Sequence, residues 1–398
     1  MRDLDSFRCE TREWLLRSAP KSMFEPARSE DDVCWGGKKT KYPAEMLEWL
    51  RVMAERGWTA PTWPKEYGGG GLTKEEAKIL DQEMKSLRLR PPLAGFGLTM
   101  IGPLLLVEGS EDQKRQHVPR IVRGEVRWCQ GYSEPGAGSD LASLATRAVA
   151  DGDDFVVNGQ KIWTTYADKA DWMFLLVRTN PEAPKHEGIS FLLMDMDSPG
   201  VTPKPIRLIS GYSPFCETFI ENVRVPRKNV VGKLNDGWRI AKALLGFERT
   251  MIADAFREED AEAAGRDRLV ELARRYLGEE HGAVADPLLR DRITQTKFDQ
   301  ACLDLTIERV KEAAKAGQAP GAESSILKFY GTELNKRRNE LVESILGPQA
   351  LGWEGEGFDS AALRATRDWL RSRANSIEGG TSEIQLNIIA KRVLGLPD

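Results

Sequence analysis

The sequence predicts an α+β chain in three parts: helices, then a small β region, then helices again. Three observations predict it. Apolar residues recur at helical spacing up to about Glu125. Short β-rich runs with turn punctuation fill Trp128 to about Gly232. Helical spacing returns after Asn235-Asp236-Gly237. The expected domains are residues 1–127, 128–233 and 234–398. A chain of 398 residues is long for one layered core, which agrees with two or three domains.

In the first part, "PAEMLEWLRVMAERG" places Met46, Leu47, Leu50, Met53 and Ala54 on one stripe and stops at Gly57. "TKEEAKILDQEMKSL" opens with a Thr cap and an acidic first turn. "GSEDQKRQHVPRIVRGE" reads as another short helix. Pro91 to Val107 carries no charge, but its 17 residues are interrupted by Gly95, Gly97 and Gly102-Pro103. A membrane span wants about 20 apolar residues, so a buried helix pair is expected and no membrane segment. The N-terminus, "MRDLDSFRCETREW", alternates charged and apolar residues like a surface helix rather than a signal peptide.

In the second part, "DGDDFVVNGQKIWTT" puts Asn158-Gly159 between β-rich arms, a hairpin signal. "DWMFLLVRT" and "GISFLLMDMDSPGV" are apolar strand runs. In the third, Gly355 to Gly357 separates two helices. The closing helix starts after Gly379-Gly380 with a capping box, Ser382 to Gln385, and ends at Gly395.

Composition narrows the function. Net charge is −4, with 41% hydrophobic and 30% charged residues, so nucleic-acid binding has no electrostatic support. The five cysteines are scattered without a C-x-x-C, which reads as a reduced, cytoplasmic protein. His117, His186 and His281 lie far apart, so no metal site is expected. "WGGKKT" fails as a phosphate loop because Asp32 stands where glycine is needed. No dinucleotide fingerprint and no nucleophile elbow appears.

"WCQGYSEPGAGSDLASLATRA" (Trp128 to Ala148) joins a strand-like start to a turn rich in glycines and hydroxyls. Glycine lets a ligand approach the backbone, and Ser133 and Ser139 offer hydroxyls and N–H groups. A polar turn between domains is the other reading. "NGQKIWTT" adds Trp163 and Thr165 on alternate positions of one strand face, suited to a flat heteroaromatic cofactor. Trp163 as ordinary core is the simpler alternative.

Taken together the two segments resemble the acyl-CoA dehydrogenase family, where both line the flavin of FAD. Further matches run in family order through "GPLLLVEGSEDQKRQHVPRIVRGE", "FIENVRVPRKNVVGKLNDGWRIA", "LLGFER" and "GGTSEIQLNIIAKRVLGLP". The resemblance implies an N-terminal helical domain, a central small β-barrel and a C-terminal four-helix-bundle-like domain, with tightly bound FAD. By motif position, Gln130, Tyr132, Ser133, Gly138 and Ser139 would contact flavin or the CoA end of the substrate. Trp163 would lie against the isoalloxazine ring and Thr165 near its reactive nitrogen. Thr381 and Glu383 would sit by the FAD nucleotide, at a helix end that favours phosphate.

The implied chemistry is α,β-desaturation of an acyl-CoA thioester: a carboxylate takes the α-proton while the β-hydrogen leaves as hydride to flavin. The family places its base at one of two positions. The first, two residues before the Thr of G-T-S, is Gly379 here, with Glu378 one residue out of register. The second, in the first long helix after the barrel, is Glu248 of the Glu248-Arg249 pair. Its neighbours Leu244, Leu245, Met251 and Ile252 are all apolar. A carboxylate there is paired, neutral or functional. Glu248 is therefore favoured over Glu378, with a structural ion pair as the alternative. Arg249 would bind near the substrate, and the Gly380 amide would face the thioester oxygen.

Two family segments that reach FAD in a neighbouring subunit are missing. "RRYLG" (Arg274 to Gly278) carries Leu277 for Phe, and "ILGPQALGW" stands where Gln-x-x-Gly-Gly is common. A homotetramer or homodimer is expected, with a mixed assembly as the alternative. Electrons would pass to an electron-transferring flavoprotein. The rival readings are an oxidase or monooxygenase on the same fold, and a non-catalytic subunit of a mixed assembly.

Overall fold

The computed structural model describes residues 3–25, 27, 30–244, 265–315 and 321–397. The chain divides into two compact units, residues 1–206 with 214–248, and 207–213 with 249–398. The expected order of helices, β-strands and helices holds.

The first unit opens with α1 (Leu4–Ser18), α2 (Ala44–Glu55) and α3 (Lys74–Ser86), packed around Leu15, Trp49, Met53 and Leu80. On α2 the buried stripe is Met46, Trp49, Leu50 and Met53. Leu47 is 46% exposed. It sits 100° round from Met46, off the face that Trp49 completes. Thr73 caps α3 as expected and forms a capping box with Glu76. Ser110 and Gln113 do the same for α5 (Glu111–Val122).

The uncharged stretch is one helix rather than a pair. A π-helical turn over Gly97–Ile101 runs directly into α4 (Gly102–Glu108). The wide turn absorbs Pro103, which has no N–H to give. A Cβ on Gly102 would fall 2.1 Å from the Trp63 ring, so that glycine serves packing and does not break the helix.

Seven strands follow: β1 (Trp128–Gly131), β2 (Arg147–Asp151), β3 (Asp154–Thr165), β4 (Trp172–Arg178), β5 (Ile189–Asp195), β6 (Val201–Ile206) and β7 (Phe215–Pro226). They form one sheet in the order β1-β4-β2-β3-β7-β6, with β5 also paired to β4. The two apolar runs are β4 and β5, antiparallel neighbours, buried except for Arg178 and Asp195 at their ends. The expected turn at Asn158-Gly159 is not one. The hairpin closes earlier, at Gly152-Asp153, where Asp151 faces Asp154. Asn158-Gly159 instead marks a bulge in β3, where the register to β7 shifts. A Cβ on Gly159 would meet the Thr146 hydroxyl at 2.4 Å, so close strand approach explains the glycine.

One core joins helix and sheet in this unit: Leu104 and Val118 with Trp128, Phe174, Leu193 and Ile240. His117 is buried in it, edge-on to the rings of Trp128 and Trp172 at 5.2 and 4.7 Å. The unit closes with α6, helical over 237–244.

In the second unit, α9 (Ser324–Leu346) packs against α7 (Gly265–Leu277), α8 (Pro287–Lys315) and α10 (Ser360–Ser372). Leu269, Ala273, Ile293, Leu341 and Ile345 form part of the core. The chain breaks between α9 and α10 as expected. The closing helix, α11 (Ser382–Ile388), continues into a π-helical turn over Ile389–Val393 and ends at Gly395, with φ +65°. Its cap is Thr381, whose hydroxyl accepts the Ile384 N–H at 3.3 Å, not Ser382. The Ser382 hydroxyl lies 3.4 Å from the Glu333 carboxylate, and Gln385 folds back on the Gly379 carbonyl at 3.3 Å. Among the described residues no helix is long and apolar enough to cross a membrane.

Candidate functional site

The loop after β1 is built on a buried ion pair. The Glu134 and Ala137 main chains exchange two hydrogen bonds of 3.0 Å, closing a tight turn. The Glu134 carboxylate then accepts from the Ala145 and Thr146 N–H groups at 2.6 and 3.0 Å, and from Lys161 Nζ at 2.7 Å. Lys161 is fully buried and also donates to the Tyr132 carbonyl at 3.2 Å. Burial opposes both charges. For Glu134 the Lys161 ammonium and the hydrogen bonds outweigh burial and hold its carboxyl below the ordinary range. For Lys161 burial wins and its pKa falls. The Ile162 N–H donates to the Ser133 carbonyl at 2.9 Å, a second tie between loop and β3. This pair is not evident from the sequence motifs alone, although a Glu inside one motif and a Lys inside the other was the available signal.

What this scaffold presents is open. A Cβ built on Gly136 or Gly138 meets nothing within 4 Å. Gly138 and Ser139 are exposed, and Gln130 and Ser133 half-buried. Tyr132 differs: its ring is buried edge-on to Phe174 and Phe191, with centroids 6.1 and 6.3 Å away.

Trp163 is not core. It is 51% exposed, with φ +59°. The register of β3 to β7 shifts between Lys161 and Thr164, and the left-handed residue in that gap turns the indole outward. Thr164 goes inward, bonding the Cys216 carbonyl and the Thr218 hydroxyl, each at 2.8 Å. Thr165 is half-buried and paired with Phe215, whose ring stands edge-on to Trp163 at 6.1 Å.

In the second unit Gly379 and Gly380 adopt φ of +62° and +90° before the Thr381 cap. The Gly380 N–H makes no hydrogen bond among the described residues. Thr381 is half-buried and Glu383 exposed in the first turn. Its own N–H and the Thr381 hydroxyl hold the Glu383 carboxyl below the ordinary range. Two lysines not singled out by sequence brace the segment. Lys328 donates to the Asn375 carbonyl at 3.0 Å and Lys336 to the Ser376 hydroxyl at 3.2 Å. Glu378 is exposed and bonded to Arg371 at 2.8 Å and Asn375 at 2.6 Å. Glu248 and Arg249 lie outside the described residues. No cluster of three or more His, Cys, Asp or Glu side chains suited to a metal occurs among the described residues.

Family models for the N-terminal, middle and C-terminal domains of acyl-CoA dehydrogenase match residues 23–125, 129–223 and 235–394. The acyl-CoA dehydrogenase IpdE1 of Mycobacterium tuberculosis is 36% identical over 100% of this chain and 99% of its own length. The chain belongs to the acyl-CoA dehydrogenase family. Among solved structures, the Tcur3481-Tcur3483 steroid ACAD superposes with a TM-score of 0.77 at 31% identity, over 100% of this chain and 99% of that one. The ChsE4-ChsE5 complex from Mycobacterium tuberculosis gives 0.74 at 30% identity, over 100% and 98%. As a member the chain is a FAD-dependent oxidoreductase acting on the CH–CH group of acyl-CoA. The observed residues fit that cofactor: an uncluttered glycine loop, a solvent-facing indole and a half-buried threonine come from neighbouring strand ends.

Proposed function

We propose that this acyl-CoA dehydrogenase desaturates its substrate between the α and β carbons, with Glu248 as base. The observation that carries the flavin half of the reading is Trp163, a large aromatic turned outward beside a loop that a buried ion pair holds in place. An indole would normally be buried, and a left-handed φ is costly for a bulky residue. Both features are accounted for if the ring lies against the isoalloxazine. Gln130, Ser133, Gly138 and Ser139 then meet flavin or the CoA end of the substrate, as does Tyr132. Thr165 donates near the reactive nitrogen. Thr381 and Glu383 lie by the FAD nucleotide. Bound there, FAD supplies the hydride acceptor.

Glu378 fits the base poorly. It is exposed, and Arg371 and Asn375 occupy its carboxylate, whereas a base gains from desolvation. Glu248 has apolar neighbours in sequence and takes the role, with Arg249 beside the substrate. The Gly380 N–H, free among the described residues, suits the thioester oxygen, where it would stabilise the developing enolate. The division at residues 127/128 and 233/234 remains the proposed domain plan.

The acyl group is proposed to be ring-containing, because a solved relative at 31% identity is described as a steroid ACAD. A mixed assembly is favoured over a homo-oligomer for a related reason. The ChsE4-ChsE5 structure is a complex, and the motifs that reach a neighbouring subunit's FAD are absent here. Electron-transferring flavoprotein is the proposed acceptor and the cytoplasm the proposed location. Anaerobic mixing of the holoenzyme with a panel of linear and ring-bearing acyl-CoAs tests the reading. Bleaching of the flavin by at least one thioester, with slow reoxidation in air, is expected. Fast reoxidation by oxygen would move the protein to the oxidase reading, and failure to take up FAD would move it to the non-catalytic one.

A further inference from the structure

Arg127 immediately precedes β1 and is 5% exposed. Its guanidinium sits in the corner formed by two rings in edge-to-face contact, 4.9 Å from the centroid of Trp35 and 4.6 Å from that of Tyr166, which are 5.7 Å apart. No carboxylate among the described residues lies within ion-pairing distance of it. Asp171 is engaged elsewhere: it accepts the Arg127 main-chain N–H at 2.8 Å and that of Lys38 at 3.4 Å. Aromatic faces offset only part of the cost of burying a cation. An arginine fork also has five N–H donors, which rings do not satisfy in the way oxygen does.

The same residue lines a small cavity of about 10 Å³ with Trp35, Phe96, Gly97, Leu98 and Trp128. Its walls carry donors and no side-chain acceptor. Trp128 Nε1 is buried with no hydrogen-bond partner among the described residues. A Cβ on Gly97 would crowd Ile121 Cγ2 at 3.0 Å and touch Trp128 Cδ1 at 3.5 Å, so the glycine leaves room at that wall. Gly97 also begins the π-helical turn, a distortion common at functional sites. Tyr166, one wall of that corner, directly follows Thr165 at the end of β3.

We infer that Arg127 and Trp128 recognise one oxygen acceptor, a ketone or carboxylate oxygen, carried by the acyl group of the substrate. The inference rests on the acyl-CoA reading above. The cavity volume suits a group the size of one water. The acyl oxygen would take the place of that water, with its carbon at the mouth of the cavity. Two donors converging on one oxygen would make these residues specificity determinants, since a buried donor left unpaired penalises an analogue lacking the oxygen.

The test uses the FAD-loaded holoenzyme and matched thioesters. Each pair is a hydrocarbon acyl-CoA and its oxo- or carboxy-bearing counterpart, from short linear chains to a ring and its ring ketone. Both kcat/KM and the Kd of the matching enoyl-CoA products, by calorimetry, are read as ratios within a pair. The wild type should prefer the oxygen-bearing member of at least one pair about tenfold or more. Arg127→Met should bring that ratio down to about one, a loss of about tenfold or more. Trp128→Phe removes the indole N–H together with the pyrrole ring and should reduce it less, with the fold checked by the unchanged kcat/KM on the hydrocarbon member of the pair. Arg127→Lys keeps the charge but not the fork, and serves if Arg127→Met does not fold. A wild type with no preference in any pair overturns the inference, as does a preference that survives these variants. A wild type bleached by no thioester at all overturns the dehydrogenase reading beneath it.

Discussion

Two glycine-rich segments carry the family's motifs, and the fold holds them in opposite ways. The loop at residues 133–139 stands on Glu134 and Lys161, whose side chains are 8% and 0% exposed. The segment at residues 375–381 is held by Arg371 and Glu378, whose side chains are 27% and 40% exposed, and by lysines reaching a carbonyl and a hydroxyl. The first is a cradle set by interior electrostatics. The second is set by a half-solvated polar network. Buried pairs are costly to break from one side, whereas exposed pairs add little. A site that must hold a flat cofactor in one orientation gains from the first kind of support. A segment that offers an amide and a helix end can tolerate the second.

The largest expected effect breaks that contrast directly. Lys161→Met leaves the Glu134 carboxylate buried without its cation and should cost about 3–5 kcal/mol in urea unfolding. Arg371→Met, at the exposed pair, should cost about 0–1 kcal/mol. Equal losses in the two variants would erase the distinction. Adding Glu134→Gln to Lys161→Met should recover much of the loss, because no buried charge then remains.

The next effect lies beneath the cradle, at the start of β1 and β4. His117 is buried between Trp128 and Trp172, neither ring nitrogen has a partner among the described residues, and burial pushes its pKa down to about 4. The folded protein therefore binds this proton less readily than the unfolded chain, whose histidine titrates near 6.5. Stability should fall as pH drops below 6.5, and the loss should level off below about 4 at roughly 3 kcal/mol. In His117→Phe that part of the pH dependence should vanish. An unchanged acid profile would show that other groups govern it.

The smallest effect belongs to the second segment. Thr381→Ala removes the cap of α11 and should cost about 1 kcal/mol, read as faster amide exchange at Ile384. Protection at Ile384 equal to wild type would place the support of that helix elsewhere, at Ser382–Glu333 or Gln385.

Local signals were legible where one rule decided the outcome. The cap at Thr73 follows from a side-chain oxygen meeting orphan N–H groups, and β4 and β5 follow from apolar runs. Illegible features depended on tertiary neighbours. Asn158-Gly159 reads as a turn until Thr146 is seen packed against Gly159. Gly102-Pro103 reads as a break until Trp63 and the π-helical turn fill the space. Thr381 and Ser382 compete for one cap, and Glu333 settles it by lying near the serine. At the site, the motifs identified the segments, but the Glu134–Lys161 support and the left-handed Trp163 are visible only once β3 is in register.

The division of labour between the two segments turns on where the base resides. Glu248→Gln and Glu378→Gln, each loaded with FAD and mixed anaerobically with an accepted acyl-CoA, separate the possibilities. Glu248→Gln should keep its FAD and lose flavin bleaching, while Glu378→Gln should bleach within a few-fold of the wild-type rate. Wild-type bleaching in Glu248→Gln together with its loss in Glu378→Gln would contradict the assignment and return the base to the segment before α11.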